Sequence, residues 1–164
     1  MSLIIEDGSI VAGAESFATA AELVTYAANF GRTIPSDTTA QEALLRRAAL
    51  QMSAMSWKGG LVNELQALSW PRYDVYRENW LVPSDSIPAQ IKAGQMALAT
   101  EIHADDLAPP ELKTGAIESE KVGPISTTYA AASTYTARPA ATRQSYAQFG
   151  PFLNASNQVR LARG

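Results

Sequence analysis

Apolar residues recur at helical spacing in three stretches of the first two-thirds of the chain. Leu23, Tyr26, Ala27 and Phe30 share one face of a segment over about 20–30. Leu44, Ala48, Met52 and Met55 mark a second stripe that runs to about Ser56, and Ile91, Met96, Leu98 and Ile102 a third over about 87–104. Start and stop residues agree with these limits. Thr19-Ala-Ala-Glu22 has the form of a capping box, in which the threonine hydroxyl takes the N3 amide and the glutamate reaches back, and Gly31 supplies a left-handed stop. Thr39-Ala-Gln-Glu42 repeats the device for the second helix. In the third, Pro88 suits the first turn, where its missing N–H is not needed, with Ser84, Asp85 and Ser86 as capping residues. Gly94 costs that helix about 1 kcal/mol relative to alanine. A close crossing at Gly94 would offset the loss.

Beyond Asp106 the pattern changes. LAPPELKTG reads as a loop, and Ala116–Val122 with Ile125–Tyr129 read as two strands turning at Gly123-Pro124. The polar AAASTYTARPAATRQSY follows, then an apolar group, Tyr146, Phe149, Phe152 and Leu153, broken by Gly150-Pro151. The last seven residues alternate like a strand. The apolar group either folds back onto the helices or orders on a partner. The expected fold is mainly α: a small bundle of three main helices with a β-hairpin at about 116–129, together making a domain over 1–129, and an extended C-terminal arm over 130–164 with a short apolar element.

Composition narrows the chemistry. The 164 residues are 46% hydrophobic and 18% charged, suited to one folded domain. No apolar run approaches the roughly 18 residues of a spanning helix, so no membrane partner is expected. The N-terminus carries acids where a signal peptide carries positive charge, so export is not expected. There is no cysteine and only one histidine, His103, in EIHADD. That run lacks the glycine turn with alternating acids of a cation loop and reads as the polar end of a helix. No nucleophile motif or phosphate-binding glycine loop is present. We therefore expect no catalytic residue, no metal, no cofactor and no enzymatic activity.

Charge is unevenly placed. Residues 1–106 hold 13 acids against 7 bases, whereas residues 107–164 hold 3 acids against 6 bases. From Ala130 onward the charges are Arg138, Arg143, Arg160 and Arg163 alone. An acidic body with a basic tail points to contact with an acidic protein surface, such as a neighbouring copy, as readily as with nucleic acid.

The segment ALSWPRYDVYRENW, Ala67 to Trp80, gathers two tryptophans, two tyrosines and two arginines with no helical or strand period. Aromatic and guanidinium groups together could stack bases and hold phosphates. Asp74 and Glu78 balance Arg72 and Arg77, however, leaving no net charge to bind a backbone. The alternative is an ordered connection anchored by Trp70-Pro71-Arg72, with Tyr73 to Trp80 available to a partner.

Four pieces in order carry a family resemblance: Ile4-Ile5-Glu6-Asp7-Gly8 with Ser16-Phe17; Ala67-Leu68-Ser69-Trp70-Pro71-Arg72; Val82-Pro83-Ser84-Asp85-Ser86-Ile87-Pro88; and Glu120-Lys121-Val122-Gly123-Pro124-Ile125. The chain resembles phage and prophage proteins labelled DnaT-like single-stranded-DNA-binding proteins, which are similar in organisation to the head-to-tail adaptors of long-tailed phages. The resemblance implies a virion protein of the neck, assembled in the host cytoplasm. It implies a homo-oligomeric, twelve-fold ring between the portal protein and the next neck or tail-completion protein, with double-stranded DNA passing through unread. The alternative is a single-stranded-DNA-binding protein acting in replication. The residues expected at subunit or partner interfaces are Arg72, Tyr73, Tyr76, Arg77, Trp80, Lys121, Tyr129, Arg138, Arg143, Tyr146, Phe149, Phe152, Leu153, Arg160 and Arg163.

Overall fold

Thr19 opens α1 (Ala20–Asn29) as its sequence requires: its hydroxyl accepts from the Glu22 N–H at 3.2 Å while the Glu22 carboxylate accepts from the Thr19 N–H at 2.7 Å. That amide bond lowers the Glu22 pKa. Gly31 then takes φ +59° and stops the helix. Leu23, Tyr26 and Ala27 are buried as expected. Phe30 is half exposed and stacks on Tyr26 at 4.4 Å, because the helix ends before Phe30 can turn inward. This geometry comes from a computed structural model that describes residues 3–107, 112–113, 119–122, 125–128, 135–136 and 143–154, with side chains placed in 3–107 and 143–154.

The second helix, α2 (Thr38–Ser53), begins two residues earlier than a cap at Thr39 would set it. Asp37 is the cap, its carboxylate accepting from the Ala40 N–H at 2.9 Å. Aspartate is the stronger N-cap and its charge suits the helix N-terminus. Glu42 turns instead toward Arg46, which also reaches Glu15 at 3.0 Å. The helix stops at Ser53 rather than Ser56, where the Trp57 indole donates to the Met52 carbonyl at 2.8 Å. Leu44, Ala48 and Met52 are buried; Met55 lies past the helix and is only partly covered.

Between the second and third helices the chain makes four two-residue strands: β1 (Gly60–Leu61), β2 (Arg72–Tyr73), β3 (Tyr76–Arg77) and β4 (Trp80–Leu81). β1 pairs antiparallel with β2, and β3 with β4, in register Tyr76↔Leu81 and Arg77↔Trp80. Asp74 and Glu78 hold left-handed turns at φ 58° and 55°. The segment expected to be a connection without period is therefore a hairpin. Strands of two residues are too short to print an alternation.

α3 (Ala89–Leu107) follows Pro88, whose carbonyl accepts from the Ile91 N–H at 2.9 Å. Ile91, Leu98 and Ile102 enter the core, and Met96 packs at its edge. Further on, β5 (Leu112–Lys113) pairs with β8 (Tyr135–Thr136), and β6 (Ser119–Val122) pairs antiparallel with β7 (Ile125–Thr128), giving the expected hairpin. The last described elements are α4 (Gln144–Phe149) and a 3-10 turn (Gly150–Phe152). The fold is mainly α with small β-hairpins, as its periodicity implied. Met1–Ala104 with Arg143–Gly164 form one compact unit, and Asp105–Thr142 a second. That grouping differs from a division at residue 130.

Phe149 and Phe152, expected at a subunit or partner interface on an extended arm, are fully buried within the chain itself. Phe149 meets Trp57 edge-on at 5.3 Å, and Phe152 meets Trp70 at 5.5 Å. Ser145 ties α4 to α3, donating to Glu101 through both its N–H (3.1 Å) and its hydroxyl (2.6 Å). Burial of two phenylalanines outweighs the interruption by Gly150-Pro151.

Gly94 is explained by the same contact. A Cβ at this position would overlap the Phe149 ring, so the glycine permits the aromatic to lie on α3. Helix propensity alone predicts that Gly94→Ala stabilises by about 1 kcal/mol. We expect the reverse, a loss of about 1–3 kcal/mol from overpacking, read as a lower urea midpoint. A raised midpoint would contradict the packing.

Candidate functional site

Three of the four segments that carry the family resemblance are joints of the core. Glu6 is fully buried and its carboxylate accepts from the N–H groups of Gly8, Ile10 and Val11 at 2.8, 3.0 and 2.9 Å. These bonds shape the N-terminal loop and hold Ile10 at φ 64°, a costly value for a β-branched residue. Gly8, at φ 111°, lies so close to Asp85 that a side chain would strike the Asp85 carbonyl, which joins the first segment to the third. Ser16 and Phe17 meet α3 through Gln95, a fully buried amide. It accepts from the Phe17 N–H at 2.9 Å and donates to Ser16 Oγ and the Leu45 carbonyl at 2.9 and 3.0 Å.

Trp70-Pro71-Arg72 is the second joint. Trp70 is fully buried, edge-on to Trp57 at 5.9 Å and to Phe152. The Trp70–Pro71 peptide is cis. Arg72 was expected at an interface, but its guanidinium donates to the carbonyls of Lys58 (2.7 Å), Gly59 (2.8 Å) and Ser69 (3.2 Å). It thereby staples the strand pair β1–β2, and burial pulls its pKa down. A guanidinium spent on three carbonyls of its own chain is not offered to a neighbour.

The exposed chemistry lies on the segment these joints support. Trp80 is 80% exposed, Leu81 58%, Tyr73 54% and Tyr76 52%. Cross-strand partners share a face of a two-stranded ribbon, so Arg77 and Trp80 present one face and Tyr76 and Leu81 the other. Val75 anchors the base: it is fully buried and its carbonyl accepts from the Val82 N–H at 2.8 Å. Beside the hairpin lies a groove of about 410 Å³ lined by Arg77, Trp80, Val82, Pro83, Pro88 and Gln90 among others. Isolated exposed apolar residues are ordinary, but four large ones within the nine residues Tyr73 to Leu81, on both faces of the hairpin, are a concentration of exposed apolar surface.

The other expected interface residues divide. Tyr146 is exposed on α4, Arg143 is exposed at its start, and Leu153 is half-buried in a bridge to Trp57. Lys121 lies on β6 with its side chain undescribed. Tyr129, Arg138, Arg160 and Arg163 lie outside the described residues, as does the strand expected at the C-terminus. Among the described residues no group of three or more histidines or acids is arranged to hold a metal. No helix among them is long and apolar enough to cross a membrane.

The sequence reading missed a groove between α1 and α3, of about 400 Å³, lined by Ala21, Glu22, Thr25, Tyr26, Asn29 and Met96. The legible signal was of an unpartnered helix rather than of the groove itself: α1 carries one charge, Glu22, and leaves Val24 exposed, with Phe30 half exposed at its C-cap.

Fold and surface define a small, mainly helical domain whose exposed chemistry is an aromatic hairpin. The chain belongs to the family described as "Putative DnaT-like ssDNA binding protein", whose profile matches residues 1–164. No curated protein and no solved structure matches it.

Proposed function

We propose that the protein is a structural subunit of a phage particle: a head-to-tail adaptor whose copies form a ring beneath the portal, through which double-stranded DNA passes. The observation that carries this reading is the charge of the hairpin. Arg72 is committed to backbone carbonyls, so the aromatic patch keeps one cation, Arg77, with Glu78 beside it and Asp74 at the preceding turn. Nucleic-acid affinity draws on clusters of cations that release counterions from phosphates. An exposed, charge-balanced aromatic patch suits a protein partner, where aromatic and arginine side chains supply most of the binding energy. Portal, twelve-fold ring and the next neck protein come from the resemblance to adaptors, as does the place in the virion neck.

A single-stranded-DNA binder is the second reading, favoured by the family's description and by the exposed Trp80 and Tyr76 as stacking platforms. One pair of measurements separates the two. The adaptor reading expects ring-sized particles by mass photometry and no retention of a labelled oligothymidine at physiological salt. A monomer that captures the oligonucleotide, with affinity falling steeply as salt rises, would replace it with the second reading. Any truncation used to probe the basic tail must begin after Asn154, since removal from residue 130 would take Ser145, Phe149 and Phe152 out of the core.

A further inference from the structure

A ring of identical subunits needs two different surfaces on each copy, because a head-to-tail contact closes a ring whereas a self-complementary contact stops at a dimer. The described residues carry two apolar features that share no residue: the hairpin face of Arg77 and Trp80, and the groove between α1 and α3.

We infer that these two features are the halves of one contact between copies, with Trp80 of one subunit seated in the α1–α3 groove of the next. This rests on the ring reading above and adds to it the residues that meet. Size agrees: the groove, at about 400 Å³, has room for an indole, and Trp80 presents four-fifths of its surface. Chemistry agrees as well. The groove is lined by Ala21, Thr25, the Tyr26 ring and Met96, with Asn29 as a neutral polar group at its edge. Methionine and tyrosine are adaptable walls for an incoming aromatic.

Charge decides the pairing. The only charged residue lining the groove is Glu22, and the cation paired across the hairpin from Trp80 is Arg77. Seating the indole brings that guanidinium to a carboxylate already held ionised by the capping box. Two hairpins face to face would instead set Arg77 against Arg77. The occupant of the groove is therefore a second copy in head-to-tail orientation.

The natural chain has no cysteine, so introduced thiols report the contact without interference. Asn79→Cys places a thiol beside Trp80, and Asn29→Cys places one at the groove; both positions are exposed. Mixing the two full-length variants with a short bis-maleimide is expected to give a cross-linked dimer, while each variant alone gives at least tenfold less. Adding Trp80→Ala to Asn79→Cys is expected to abolish the mixed product, with far-ultraviolet circular dichroism unchanged. Ring-sized particles of the unsubstituted chain without the mixed product would overturn this contact and leave the ring reading standing. A dimer from Asn79→Cys alone would overturn it in favour of paired hairpins. Monomers with no cross-link would overturn both.

Discussion

Trp70→Ala is expected to lower the free energy of unfolding by about 3–5 kcal/mol, the range for removing a large aromatic from a packed interior. Trp70 is fully buried and edge-on to both Trp57 and Phe152, so its loss opens a cavity between the helices and the C-terminal turn. It also removes two edge-to-face pairs, each worth about 0.5–1.5 kcal/mol beyond burial. A domain of this size is commonly stable by only about 5–15 kcal/mol, so the variant would sit near its unfolding threshold. Trp80→Ala, ten residues along, is the control. Trp80 is 80% exposed and its replacement should move stability by no more than about 0.5 kcal/mol. Denaturant titration of both proteins measures the contrast. Similar small losses for the two would mean that Trp70 does not hold the core.

Gln95→Leu should cost about 3 kcal/mol, although leucine is a good helix former of similar length. The amide links three elements: it accepts from the Phe17 N–H and donates to Ser16 Oγ and to the Leu45 carbonyl of α2. Ser16 Oγ keeps a second partner, since it also donates to the Ala18 carbonyl at 2.6 Å. The Phe17 N–H loses the acceptor that Gln95 supplies and stays buried. A buried donor left without a partner costs about 1–3 kcal/mol, and the Leu45 contact adds to that. The local readout is amide hydrogen exchange at Phe17, which should accelerate more than exchange in α2. Unchanged protection at Phe17 would show that the bond to Gln95 is not what secures the N-terminal segment.

The two tryptophans show how much of the molecule could be read in advance. The three main helices were legible because each carries a stripe at helical spacing and a boundary signal with a local mechanism. Even so, Asp37 displaced Thr39 as a cap, a competition between neighbours that a motif match does not resolve. The hairpin of β3 and β4 was not legible, since two residues per strand leave no alternation to detect. The fate of the C-terminal aromatics was not legible either. Tyr146, Phe149 and Phe152 look alike in sequence, yet one is exposed and two are core. Phe149 enters the space that Gly94 leaves on α3, fifty-five residues earlier in the chain, and Phe152 packs edge-on against Trp70.

By itself the sequence determined the helical class, the capped first helix, the lack of any thiol, and the balance of acids and arginines across the aromatic segment. These follow from residue type and local spacing, and local interactions act within a turn or two. Tertiary structure alone decided which aromatics are buried and which arginine of the aromatic segment is spent on carbonyls. It also placed Glu6 and Gln95 as buried joints rather than surface polar groups. Such outcomes depend on contacts between residues far apart in the chain, where burial of a ring or an amide is set by the partner that packing brings to it.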